Sequence, residues 1–334
     1  MMRKTLRFII ITGALLCFIY MIGPRCEKAV LSTSFPVVPS SLSQLSDSIS
    51  NAESYYKDSI KSGCSSQIRW SNDSLTTTEY SLLYLHGYTA TINEGMPVVE
   101  HYASRYGMNV YLPRLDDHAY LTDEPLLNMT AEGLWESAKN ALSVAGKLGE
   151  KVIIMSTSTG GTLALTLAAT YPEKVHAIIN FSPNILPATT GVRLLTGHWG
   201  LEIARMVQGG KRMKVTEENK YPLHWSEGPR LESAVELQRL VDATMHSNTY
   251  EKIVCPSLTL AYYKDPDNQD RTVRVDKIKE MHSLLSSPIK SYVELPSVGV
   301  HPMACGVISH DIEAVEDAIY NFTENTLGIA PVKH

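Results

Sequence analysis

Lys151-Val152-Ile153-Ile154-Met155-Ser156-Thr157-Ser158-Thr159-Gly160-Gly161-Thr162-Leu163-Ala164 is the stretch whose reading decides the fold. Val152 to Met155 is an unbroken apolar run, the pattern of a parallel strand covered on both faces. Thr162 to Ala169 reads as a helix. Only a sharp turn fits between them, and its small-x-Ser-x-small pattern puts Ser158 at the tip with the helix amino terminus behind it. A serine hydroxyl becomes a good nucleophile only when a neighbouring base takes its proton. Such a turn also offers backbone N–H groups to an oxyanion formed on attack. Ser156 stands where glycine is usual, but it is still small. Alone, the hexapeptide reads equally well as a Ser/Gly-rich helix cap.

The flanking chain repeats the alternation. Leu82 to Leu85 is a buried strand ending in His86-Gly87-Tyr88-Thr89, followed by a helix over 97–106 and a strand over 108–112. Thr130 opens the next helix, with Leu134, Ala138, Ala141, Leu142 and Ala145 as its apolar stripe. Strands follow at 175–181, 257–263 and 292–295, with helices at 276–285 and 311–327. Strands alternating with helices at this spacing predict an α/β fold, a mostly parallel twisted sheet with helices on both faces. From about 185 to 250 the alternation stops, and Leu194, Leu195, Trp199, Leu201, Ile203, Met206 and Val207 recur at helical spacing. This insertion is expected to cap the carboxyl ends of the strands, with ordinary core-packed helices as the alternative.

These features together resemble the α/β-hydrolase family, specifically its esterase and monoacylglycerol-lipase-like serine hydrolases with a helical cap. The resemblance covers about Tyr80 to Leu327. It rests on LHGYTA at 85–90, STSTGG at 156–161, QDRTV at 269–273 and VGVH ending at His301, in the family's order of nucleophile, acid and histidine. It implies Ser158 as nucleophile and His301 as its base, with His310 as rival. The carboxylate that orients the histidine is expected to be Asp270, from its Asp-x-x-Val context, with Asp265 as the alternative. Backbone N–H groups of Tyr88 and Thr159 would form the oxyanion hole. His86 is expected to serve the turn, and His118 to be a solvated loop residue. The activity implied is hydrolysis of carboxylic esters with an apolar acyl chain, without metal or organic cofactor. Amides and thioesters are also open to such a triad, and a non-catalytic binding module on the same scaffold is the rival from another class.

Composition suits a globular enzyme: of 334 residues, 44% are hydrophobic and 19% charged. A net charge of −5 argues against nucleic acid as a partner. Residues 1–26 look like a targeting element, since Arg3, Lys4 and Arg7 precede an uncharged run from Phe8 to Gly23. That run rises about 24 Å as a helix, short of the ~30 Å hydrocarbon core unless flanking arginines snorkel. An uncleaved anchor with an exported catalytic domain is the expectation, and a cleaved signal the alternative. Residues 27–66 read as a Ser-rich linker with one weak helix from Leu42 to Ile60, ahead of a hydrolase domain over 67–330. The five cysteines read as free thiols, because Cys255 and Cys305 fall at opposite ends of a parallel sheet. Nothing in the sequence fixes the oligomeric state.

Overall fold

Val152 to Met155 is buried throughout, yet the run divides by parity. Val152 and Ile154 join Leu83 and Leu85 in one apolar cluster, while Ile153 and Met155 join Leu82 and Tyr84 in another. Successive side chains of a strand point to opposite faces, so a run without polar alternation requires a layer of helices on each side. The structure is a computed structural model that describes residues 2–72, 74–214 and 220–333, side chains of residues 2–4, 7–9 and 16 excepted. Residues 215–219 of the expected cap therefore lie outside the described residues.

The chain runs α1 (Met2–Met21), α2 (Leu42–Ser54), β1 (Gln67–Arg69), β2 (Thr78–Leu85), α3 (Val98–Tyr106), β3 (Asn109–Leu112), α4 (Ala131–Leu148), β4 (Gly149–Thr157) and α5 (Thr159–Thr170). It continues through β5 (Ala177–Phe181), α6 (Gly200–Gln208), α7 (Leu231–Thr244), α8 (Ser247–Tyr250), β6 (Ser257–Ala261), α9 (Val275–Leu284), β7 (Lys290–Glu294) and α10 (Ile312–Asn321). The seven strands form one sheet in the order β1-β3-β2-β4-β5-β6-β7. All neighbours are parallel except β1 with β3. Central β4 carries the elbow, so Ser158 emerges at the middle of the sheet's carboxyl edge. Helix α5 is buried along almost its whole length, which explains its lack of a polar face. Thr130 caps α4 as expected, its hydroxyl accepting from Gly133 N–H at 2.9 Å.

The expected helix over 42–60 stops at Ser54, and the last helix ends at Asn321 before a wider turn over Phe322–Thr326. Between β5 and β6, α6 lines the cavity at the sheet's carboxyl edge, whereas Leu237, Leu240 and Val241 of α7 belong to the main core. All five cysteines are free.

The expected membrane-spanning anchor is not supported. Among the described residues no helix is long and apolar enough to cross a membrane. The basic residues lie within the first turns of α1, so its uncharged part, Phe8 to Met21, rises only about 21 Å.

Residues 30–36, expected as a spacer, are instead a strap registered on α4. Val30 N–H donates to Glu132 Oε1 at 3.0 Å and Trp135 Nε1–H to Ser32 O at 2.7 Å. Lys139 Nζ donates to Ser34 O at 2.9 Å and Ser143 Oγ–H to Pro36 O at 2.8 Å. The helix contributes every third or fourth residue and the strap every second, which matches one helix face to one edge of an extended chain. Phe35 packs edge-on against Tyr171, centroids 4.9 Å apart. Lys139 is fully buried, and its ammonium also pairs with Glu136 at 2.8 Å. Lys139→Ala removes the strap's central anchor, a change worth about 1–3 kcal/mol. Thermal melting is expected to show a Tm lowered by roughly 1–4 °C; an unchanged Tm would mean that the strap is not bonded to α4.

Candidate active site

Ser158 occupies the turn between β4 and α5 at φ 53° and ψ −114°, a conformation that costs a non-glycine residue about 1–3 kcal/mol. Its surroundings impose it. Ser158 N–H donates to Phe181 O at 3.0 Å, and its carbonyl accepts from Gly161 N–H and Asn184 N–H, each at 2.9 Å. A Cβ at Gly160 would fall on the Leu85 carbonyl, and one at Gly161 would lie 2.6 Å from Pro183 Cβ. Helix and strand can therefore approach this closely only with glycine at both positions. Ser156 replaces the usual glycine without penalty because its buried hydroxyl donates to Asn180 Oδ1 at 2.7 Å.

The loops after β6 and β7 bring two more side chains to the same edge. His301 Nδ1 lies 2.6 Å from Asp270 Oδ2, and the Asp270 side chain is fully buried. Asp270 Oδ1 accepts from Thr272 N–H at 2.8 Å and Val273 N–H at 3.2 Å. Burial alone would raise its pKa, but His301 beside it and the Thr272 N–H hold the carboxyl below the usual range. The Nδ1 contact leaves His301 Nε2 as the nitrogen on the other side of the ring. Asp265 lies elsewhere, in an exposed turn, where its carboxylate accepts from Asp267 N–H and from Asn268. His310 is exposed, and its ring packs on Gly299 in space that a Cβ would need.

Tyr88 and Thr159 both border the cavity that Ser158 and His301 line. Thr159 is the first residue of α5, so no carbonyl one turn earlier lies within reach of its N–H. Gly87 precedes Tyr88, and a Cβ there would come within 3.0 Å of Glu94 Oε1 and 3.2 Å of Ser158 Cβ. His86 is buried beneath this turn, with Nδ1 3.0 Å from Gly87 O and Nε2 accepting from Leu115 N–H at 3.3 Å. That pair of partners suits a neutral ring with its proton on Nδ1. His118 is buried as well, against the expectation of a solvated residue, because it packs edge-on against His86 with centroids 4.8 Å apart.

The cavity has a volume of about 470 Å³ and lies between the sheet edge and the insertion. Val192, Leu195, Ile203 and Val207 line one wall, and Leu231, Ala234 and Leu237 of α7 another. A larger depression of about 640 Å³, bordered by Phe35, Lys151 and Cys255, opens at the opposite end of the strands and contains none of these side chains. Among the described residues no group of three or more His, Cys, Asp or Glu side chains is placed to hold a metal ion.

No family model matches the chain, and no curated protein matches its sequence. Solved structures do match. One, described with the metagenome-derived lipolytic enzymes LipS and LipT, is 16% identical, with 80% of this chain and 99% of that one covered at a TM-score of 0.63. The monoacylglycerol lipase of Paleococcus ferrophilus is 16% identical, with 77% and 96% covered at 0.57. Mouse alpha/beta hydrolase domain-containing protein 10 is 16% identical, with 79% and 96% covered at 0.53. The chain has the α/β-hydrolase fold.

Within this hydrolase fold the structure adds residues that the sequence reading did not single out. Glu94 and Trp225 border the cavity beside Tyr88, and Asn184 does so beside Ser158. Glu94 sits in a short turn with no distinguishing pattern around it, and Trp225 is brought to it from far along the chain.

The buried histidines make stability depend on pH. Burial pushes the His118 ring down to about 4 and that of His86 well below its ordinary value. From about pH 6.5 down to about 4 the unfolded chain takes up a proton at His118 that the folded chain refuses, so stability falls as pH falls, by about 1.4 kcal/mol per unit. Urea midpoints are expected to be lower at pH 5 than at pH 7, with a smaller difference in His118→Asn. Equal midpoints at the two pH values would contradict a buried neutral ring.

Proposed function

We propose that the protein is a serine hydrolase of carboxylic esters with apolar acyl chains. One observation carries this reading: His301, held at 2.6 Å by the buried Asp270, borders the same cavity as Ser158, which is held at a strained elbow. The esterase and lipase descriptions of the structurally similar proteins accord with it.

In this reading Ser158 Oγ attacks the ester carbonyl carbon as its proton passes to His301 Nε2. The charge that develops on the carbonyl oxygen is received by the N–H groups of Tyr88 and Thr159. Collapse of the tetrahedral species breaks the carbon–alcohol oxygen bond, and His301 returns the proton to the departing alcohol. Water then attacks the acyl-enzyme, again giving its proton to His301, and the acid leaves as Ser158 is reprotonated. Asp270 holds the ring with Nδ1–H toward itself and stabilises the imidazolium formed twice in the cycle. The apolar walls suit an acyl chain, which is withdrawn from water as it enters.

Hydrolysis of p-nitrophenyl esters of graded chain length tests the proposal. Ser158→Ala is expected to abolish turnover, by about 10⁶-fold in a fully coupled triad. Asp270→Asn is expected to lower kcat by about 10⁴-fold through loss of the correct ring tautomer. Asp265→Asn should match the wild type. A folded wild type that hydrolyses no ester and takes no fluorophosphonate label would overturn the reading.

A further inference from the structure

Glu94 is buried at 2% exposure, directly beneath the Gly87–Tyr88 turn. Its Oε2 accepts from Gly87 N–H at 2.6 Å and from the Tyr84 hydroxyl at 3.3 Å. Its Oε1 accepts from the Trp225 indole N–H at 3.2 Å. The other polar atom of Gly87 is held too, since its carbonyl accepts from Ala90 N–H at 3.2 Å and faces His86 Nδ1 at 3.0 Å. In a trans peptide the N–H of Tyr88 points opposite to the carbonyl of Gly87. Tying that carbonyl inward therefore turns the Tyr88 N–H outward, to the side where the cavity lies, and the Glu94 bond stops Gly87 from rotating. The same carboxylate reaches the insertion, whose backbone is stitched to this turn where Ser226 N–H donates to Thr89 O at 2.7 Å and Thr91 N–H to His224 O at 2.8 Å.

We infer that Glu94 is a positioning residue that fixes the Tyr88 N–H for oxyanion binding and links that N–H to the seating of the cap through Trp225. The inference rests on the ester-hydrolase reading. The Glu94 carboxylate is engaged by Gly87, Tyr84 and Trp225, so its effect is on where a donor stands when charge develops, on the transition state and not on ground-state binding. Removing one oxyanion donor outright costs about 10²–10³-fold in kcat.

The test compares the full-length wild type with Glu94→Ala, Glu94→Gln and Trp225→Phe on one p-nitrophenyl ester. Inhibition by a trifluoromethyl ketone, which forms an oxyanion on Ser158, is measured beside that by an unreactive ether of the same chain. Glu94→Ala is expected to lower kcat about 100-fold with KM within threefold, and the ketone's inhibition constant should rise in step while the ether's stays fixed. Glu94→Gln keeps one oxygen for Gly87 but turns an amide N–H toward Trp225, so about a tenfold loss is expected, similar to that of Trp225→Phe. Unchanged kcat in the folded Glu94 variants would overturn the inference, as would a loss that ketone binding does not share. If Glu94→Ala does not fold, Glu94→Gln decides by the same two criteria. A wild type inert to esters and to fluorophosphonate would overturn the parent reading and this inference together, whereas an active wild type separates them.

Discussion

The close approach of α5 to the sheet is the constraint on which the rest depends. Gly160 lies against the Leu85 carbonyl and Gly161 against Pro183, so the chain must reverse within one residue between β4 and α5. That residue is Ser158, and its φ of 53° is the cost of the reversal. Hydrogen bonds from three directions keep the strain from relaxing. They carry the hydroxyl clear of the sheet and set the first N–H of the helix beside it. A looser contact would give an ordinary helix cap with its serine turned back onto the backbone.

Sheet topology supplies the partners. In a parallel sheet every strand ends at the same edge, so loops after β4, β6 and β7 converge although the first lies more than a hundred residues before the other two. Burial gives the Asp270–His301 contact its strength, because a carboxylate in a poorly solvated pocket is held to its charged or hydrogen-bonding neighbours. The two backbone donors to Asp270 Oδ1 leave Oδ2 directed at the ring.

The periphery shows the same coupling of local pattern to tertiary contact. The strap contains no regular element, yet it is ordered against α4 because an extended chain and a helix face have commensurate spacings. Glu94 joins core and insertion by receiving donors from both.

Much of this was legible in the residues themselves. Unbroken apolar strands announce a sheet covered on both faces, and two glycines after a serine announce a tight elbow. The Asp-x-x-Val context favoured Asp270 over Asp265, whose neighbours Pro266 and Asn268 belong to turn chemistry. Other features had no local signal. His118 carries nothing in its flanks to say that another histidine buries it, and Glu94 is an ordinary acidic residue until Trp225 arrives from 131 positions away. The Ser-rich strap looks like a linker because its partners are its own carbonyls, which every sequence possesses. The apolar run in α1 likewise suggests a span until its charged first turns are counted within the helix. The sequence by itself determined the layers, the elbow and the order of the chemistry-bearing residues, since these follow from periodicity and backbone sterics. Only the tertiary structure decided which buried polar groups meet, because that depends on which distant segments the packed sheet brings within hydrogen-bond reach.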